Sequence, residues 1–161
     1  MTKATPVDPG AVASPKTIFR LSVMNKFVPI TGECFCGSVK YRVYGKLRDA
    51  KSCHCSRCRK AFNAQASAVA FVAPDEFVWL SGEDLLTSYI GVDGYGLQFC
   101  KNCGSTLCTI YEDEVLQVLL GCVDGEPEIE IGQHIFVGSK ASWEVMPAGV
   151  VQFEEWPPES D

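Results

Sequence analysis

The cysteines constrain this chain more than any other feature, because seven of the nine fall into three short clusters. The clusters are Cys34-Phe35-Cys36-Gly37, Cys53-His54-Cys55-Ser56-Arg57-Cys58 and Cys100-Lys101-Asn102-Cys103-Gly104. An odd count, with no segment typical of an export signal, does not favour a secreted disulfide framework. We favour metal ligands over redox thiols, because no thioredoxin-like βαβ pattern accompanies the clusters.

The first and third clusters share a pattern that suits one structural zinc ion. Each supplies two thiolates from a single turn, and a glycine follows the second cysteine. Glycine can adopt positive φ, which lets backbone amides point at sulfur. The long intervening segment is no obstacle, because loop-closure entropy grows only logarithmically and a structural zinc contributes roughly 10 kcal/mol. We therefore predict a four-thiolate site at Cys34, Cys36, Cys100 and Cys103.

The middle cluster leaves Cys53, Cys55 and Cys58 for a second zinc ion. Three protein ligands leave one coordination position open, which is the feature that separates catalytic from structural zinc. Three thiolates give the ion a net negative charge, which weakens its Lewis acidity and favours a soft fourth ligand. The chemistry predicted from these residues is therefore the capture of a substrate thiolate.

An alternative is that another side chain closes this second site and makes it inert. The candidates are Cys108, Cys122, His54 and His134. The two cysteines lie in or after predicted strands and are typical of buried, small apolar residues. His54 stands between two ligands and is predicted to point away from the metal, either as a hydrogen-bonding group or exposed. His134 is typical of a core histidine.

The hydrophobic pattern predicts a mainly β fold of antiparallel strands. Val39, Tyr41 and Val43 alternate with polar residues, and at most Ser56 to Phe62 forms a short helix. Trp79, Phe136 and Trp143 are predicted to be core residues. The other strands are predicted at 65–73, 77–80, 87–90, 97–99, 106–111, 115–120, 133–137 and 143–145. We expect a partly disordered extension over 1–26, one domain over 27–153 and a tail over 154–161.

Composition excludes several classes of partner. The chain has a net charge of −6 and a sequence pI of about 4.9, so it lacks the basic surface typical of nucleic-acid or anionic-membrane binders. No apolar segment approaches the length of a transmembrane helix. We expect a soluble cytoplasmic protein that binds neither nucleic acid nor membranes, and the sequence leaves its oligomeric state open.

Four motifs together carry a family resemblance. They are Gly32-x-Cys34-x-Cys36-Gly37, Cys53-His54-Cys55-Ser56-x-Cys58-Arg59, Phe99-Cys100-x-x-Cys103-Gly104-Ser105 and His134-Ile135-Phe136-Val137-x-Ser139-Lys140-Ala141-x-Trp143. In residue order and spacing, this set resembles the glutathione-dependent formaldehyde-activating enzyme family, also called the CENP-V/GFA domain family. The resemblance runs from about Phe27 to Trp143.

The resemblance implies a β-tent fold and two zinc ions, divided between the cysteines as above. It also implies a carbon–sulfur lyase that condenses formaldehyde with glutathione, its co-substrate, to S-hydroxymethylglutathione. The alternative hypothesis is a non-catalytic zinc module, a rigid β platform for a protein partner.

Two features bear on the substrate. Arg57, Arg59 and Lys60 flank the second zinc site and would suit the carboxylates of glutathione, although a solvated basic turn is the alternative. The glycine-rich segment 91–98 lacks the basic residue that many family members have there. Its glycines beside Asp93 are typical of a simple turn, and the alternative is a mobile rim near Cys100.

Overall fold

The structure is a computed structural model that describes residues 28–158. Within this range the chain forms ten strands and one α-helix, α1. In chain order these are β1 Ile30–Glu33, β2 Lys40–Val43, β3 Arg48–Cys53, α1 Ser56–Phe62, β4 Ser67–Phe71, β5 Phe77–Ser81, β6 Leu86–Ile90, β7 Tyr95–Cys100, β8 Thr106–Tyr111, β9 Glu114–Leu119 and β10 Gln133–Ile135. No helix of the described residues has the length and apolar character needed to cross a membrane.

The strands form two sheets. The smaller has the order β1-β2-β5, and the larger has the order β10-β3-β4-β9-β8-β7-β6. Neighbouring strands are antiparallel except β10 and β3, which run parallel. The prediction of a mainly β fold built of antiparallel sheets is confirmed.

The core brings together residues from both sheets. Val39, Tyr41 and Val43 are fully buried in and beside β2, as their alternation predicts, and they share one cluster with Leu107 and Val118 of the larger sheet. The Tyr41 ring stacks on Phe77 with ring centroids 5.3 Å apart. The two sheets therefore enclose a single hydrophobic core.

The sequence pattern predicted the helix correctly but missed two of the strands. The helix has the predicted bounds, whereas β1 and β3 were not predicted. The sequence of β3, Arg-Asp-Ala-Lys-Ser-Cys, is polar and has little intrinsic strand preference. This segment is extended because β4 and β10 pair with it on either side.

The predictions for Trp143 were wrong. No strand forms at Trp143–Val145, and Trp143 is 73% exposed. The residue that turns inward is Glu144, which is only 8% exposed. Trp79 and Phe136 are half-buried, and Trp79 packs against the core as predicted.

The predicted terminal segments lie partly outside the described residues. The extension over 1–26 is wholly outside them. In the predicted C-terminal tail, Glu155 accepts a hydrogen bond from the backbone amide of Phe136 at 3.2 Å, and the Trp156 ring contacts the Phe136 ring edge to face. The described part of the tail thus packs against the end of β10.

The Tyr41 hydroxyl gives a test of the core. Among the described residues no group hydrogen-bonds to this buried oxygen, and burial raises the pKa of the phenol. Tyr41→Phe should therefore leave the free energy of unfolding within about 1 kcal/mol of wild type. Tyr41→Ala should lower it by about 3–5 kcal/mol, because it opens a large cavity. Urea denaturation of the zinc-loaded proteins measures both, and a loss above 2 kcal/mol for Tyr41→Phe would reveal an overlooked partner for the hydroxyl.

Candidate metal centres

The structure brings the first and third cysteine clusters together. The sulfurs of Cys34, Cys36, Cys100 and Cys103 all lie within 4.8 Å of one another. One pair comes from the connection between β1 and β2, and the other from the end of β7 and the turn before β8. This predicted grouping therefore links the smaller sheet to the larger one.

Two glycines shape the turns that carry these sulfurs. Gly37 has φ 72° and donates its amide to the carbonyl of Cys34 at 2.8 Å. Gly104 has φ 74° and donates to the carbonyl of Cys100 at 2.7 Å. Both turns need the positive φ that glycine adopts without strain. The glycine that follows each pair is thus the residue that lets the chain fold back.

The sulfur spacing fits a zinc ion. The Cys34 and Cys36 sulfurs are 3.5 Å apart, and the Cys36 and Cys100 sulfurs are 3.9 Å apart. A tetrahedral site with Zn–S distances of about 2.3 Å places its sulfurs about 3.8 Å apart. A disulfide would require about 2.05 Å, and all nine cysteines are free. The donor set and its spacing therefore suit tetrahedral thiolate coordination.

The electrostatics differ among the four thiols. Hydrogen bonding with Ser38 lowers the pKa of the exposed Cys36 to about 6, whereas burial raises the pKa of Cys100 to about 11. Cys36 is thus the more acidic of these two thiols, and a bound metal ion would favour the thiolate form of both.

The second cluster is built where β3 passes into α1. Cys53 ends the strand, Cys55 is the N-cap of the helix, and Cys58 lies in its first turn. The three sulfurs lie within 4.8 Å of one another, and among residues 28–158 no fourth His, Cys, Asp or Glu joins them. A hydrogen bond from Cys53 lowers the pKa of Cys58 to about 6, and the positive charge of Arg57 acts in the same direction. The predicted three-cysteine grouping thus forms.

The histidines face away from this cluster. His54 is 2% exposed, and its Nε2 lies 2.9 Å from Nδ1 of His134. Its Nδ1 lies 2.8 Å from Oε1 of Glu144, at an angle outside the range of a directional hydrogen bond, so this contact is mainly electrostatic. Burial lowers the pKa of His134. Both ring nitrogens of His54 are therefore engaged away from the sulfurs.

The two remaining cysteines also stay outside both clusters. Cys108 is fully buried in β8, and burial raises its pKa to about 12. Cys122 is half-buried and donates its thiol to the carbonyl of Thr106 at 3.3 Å. Both behave as the sequence predicts, as small core residues rather than ligands.

Two of the three basic residues beside the second cluster already have hydrogen-bond partners. Arg57 donates to Asp93 at 3.2 Å, and Arg59 donates to the carbonyl of Ser139 at 3.2 Å. Lys60 is exposed. The glycine-rich segment forms the predicted turn, and the Arg57–Asp93 pair places it against α1 beside the three-cysteine cluster, which contradicts the alternative of a rim near Cys100. That turn lies at the opposite end of β7 from Cys100.

A cleft of about 400 Å³ lies between α1 and the turn that follows Cys103. Its lining includes Asn63, Ser67, Ser105 and Cys122 and contains no charged side chain. Ser67 pairs with Cys53 across β3 and β4, and its hydroxyl lies close enough to Cys58 to lower the pKa of that thiol. Cys53, Cys55 and Cys58 do not line the cleft, but Ser67 connects it to their cluster. A hollow of about 480 Å³ beside Phe77 contains no cysteine in its lining.

Sequence reasoning missed Ser67 and Asn63, and it included Ser105 in a family motif without assigning it a role. Only the register of β3 against β4 places Ser67 opposite Cys53, and no local motif marks that pairing. Ser105 follows the glycine of the third cluster, so its position beside the ligands is the one signal that was available.

The fold and the cysteine sites agree with the comparison with known families. A family profile described as glutathione-dependent formaldehyde-activating enzyme matches residues 29–139. The chain therefore belongs to this family, called GFA. No curated protein matches the chain. Among solved structures, a Rhodobacter sphaeroides protein determined by structural genomics is 25% identical, with a TM-score of 0.48, and the match covers 76% of this chain and 98% of that one.

Metal analysis tests the assignment of ligands. We expect two zinc ions per wild-type chain and also per Cys108→Ala chain. Cys100→Ser should lose one ion and lower Tm by more than about 10 °C, because structural zinc contributes to folding. Cys58→Ser should lose the other ion with a much smaller change in Tm. Elemental analysis and calorimetry measure these values, and loss of both ions from Cys58→Ser would contradict two independent sites.

Proposed function

We propose that this chain is a zinc-dependent carbon–sulfur lyase-type enzyme that acts on the adduct of glutathione and a small aldehyde. The observation that carries the proposal is the three-cysteine cluster, which no fourth ligand-type side chain of residues 28–158 completes and whose neighbour Ser67 lines a cleft. Membership of the GFA family supports both the reaction and the thiol. We also propose the cytoplasm as its compartment, because clustered thiols stay reduced there.

The proposed reaction joins a thiol to a carbonyl carbon. The C–S bond forms as the C=O π bond opens, the thiol proton passes to solvent, and the new alkoxide takes a proton from solvent. Cys53, Cys55 and Cys58 would hold the zinc ion, which when bound stabilises a thiolate at its remaining position. The hydroxyl of Ser67 lowers the pKa of Cys58 and so favours the thiolate form of that sulfur.

The cleft would orient the body of the substrate. Asn63 and Ser105 offer neutral hydrogen-bonding groups that match the peptide amides of glutathione. His54 points away from the cluster and is not assigned a role in proton transfer. Holding sulfur and carbonyl carbon together in this cleft converts a bimolecular step into an effectively unimolecular one.

The carboxylates of glutathione would meet the basic side of α1. Arg57 and Asp93 are exposed, and exposed pairs contribute only about 0–1 kcal/mol, so a substrate carboxylate can take the place of Asp93. Lys60 lies on the same helix and is exposed. We propose Arg57 as the principal contact, with Lys60 and Arg59 contributing to the positive charge around it.

Glutathione titration followed by zinc-edge X-ray absorption tests thiol capture. Addition of glutathione to the two-zinc protein should add one sulfur scatterer at about 2.3 Å. Cys58→Ser should show no such addition, and oxidised glutathione serves as the thiol-free control. An unchanged sulfur count in the wild-type protein would leave the non-catalytic zinc module, a platform for a protein partner, as the remaining function.

A pair of substitutions tests the carboxylate contact. Arg57→Ala should raise KM for glutathione by about 2–10-fold with little change in kcat, because a charge-assisted hydrogen bond is lost. Asp93→Ala should lower KM, because it frees the guanidinium. Steady-state kinetics with N-acetylcysteamine, a thiol without carboxylates, should show neither effect. Equal changes with both thiols would exclude Arg57 as a carboxylate contact.

A further inference from the structure

A buried array of polar side chains lies behind the three-cysteine cluster. It consists of Glu144, His54 and His134, which are 8%, 2% and 9% exposed. His54 follows β3, His134 is the middle residue of β10, and Glu144 lies in the turn beyond β10. The proposed reaction uses none of the three, so their burial needs a separate explanation.

The array connects its members through both side chains and backbone. The imidazole of His54 lies 2.9 Å from His134 on one side and 2.8 Å from Glu144 on the other. The rings of the two histidines also stack, with centroids 5.1 Å apart. The amide of His54 donates to the carbonyl of Ile135 at 2.9 Å. Both the ring and the backbone of His54 are thus fixed against β10.

The inward position of Glu144 is energetically unfavourable by itself. A buried carboxylate costs several kcal/mol unless it is paired, and its Oε2 has no hydrogen-bond partner among the described residues. Its neighbours Trp143 and Val145 are 73% and 88% exposed. The chain therefore buries the acid and exposes two large apolar side chains, which simple hydrophobic burial would reverse.

We propose that Glu144 and His134 are positioning residues that fix His54 and thereby set the geometry of the zinc site at Cys53, Cys55 and Cys58. His54 is the residue between two of these ligands. Because its ring is held on one side of the chain, the flanking cysteines present their sulfurs on the other side. Partners behind a metal site commonly orient its ligands, and their loss typically weakens metal binding by 10–100-fold.

This inference concerns metal binding and does not depend on which thiol the protein captures. The alternative is that the array only stabilises the end of the larger sheet. In that case substitutions in the array would lower Tm, and zinc binding would either weaken at both sites together or stay unchanged at both. The four-cysteine site lies on other elements and therefore serves as a reference within the same molecule.

Chelator competition on the full-length protein tests the proposal, with cobalt(II) as a spectroscopic probe. Cys58→Ser identifies the signal of the four-cysteine site. Glu144→Gln and His54→Gln should each weaken zinc binding at the three-cysteine site by about 10–100-fold and leave the four-cysteine site unchanged. The cobalt absorption bands of the three-cysteine site should shift as well. Glu130→Gln, a substitution of an exposed acid, is the matched control and should change neither site.

Glu144→Asp provides a milder variant should Glu144→Gln fold poorly. It keeps the charge but shortens its reach, and it should give an intermediate affinity at the three-cysteine site. Zinc affinities within twofold of wild type in Glu144→Asp and His54→Gln, or equal weakening at both sites, would overturn the proposal. A protein that binds zinc as expected but captures no thiol would refute the proposed function alone.

Discussion

The four-sulfur grouping of Cys34, Cys36, Cys100 and Cys103 is the contact on which the architecture depends. It joins the connection between β1 and β2 to the connection between β7 and β8, and so it links the two sheets. Two of its members, Cys34 and Cys100, are also part of the hydrophobic core. Apolar burial stabilises this junction, and a structural zinc ion held by the four sulfurs would stabilise the same place and contribute directly to folding.

The three-cysteine cluster has a different origin, because its ligands are close in sequence. Its shape comes from one strand end and one helix N-cap, with Cys55 accepting the amide of Cys58 at 3.3 Å. A local turn of this kind has few contacts of its own. The parallel strand β10 and the buried Glu144 supply support from elsewhere in the chain. The site proposed for chemistry thus depends on tertiary contacts for its precision, as functional sites generally do.

Charged and uncharged side chains occupy different regions around this site. The cleft beside Ser67 is lined by uncharged groups, the Arg57–Asp93 pair is exposed, and the carboxylate of Glu144 is buried against His54. In the proposed function, separate parts of the protein would therefore recognise the sulfur and the rest of the substrate.

The sequence by itself determined which cysteines act together, the alternation of β2 and the bounds of α1. These features depend on spacings of a few residues, which covalent geometry and side-chain periodicity restrict to few outcomes. Only the tertiary structure decided that polar β3 is a strand, that Ser67 lies beside Cys58, and that Glu144 rather than Trp143 turns inward. Those outcomes depend on strand register and on pairing between distant segments, and a buried charge is stabilised only by partners that the local sequence does not contain.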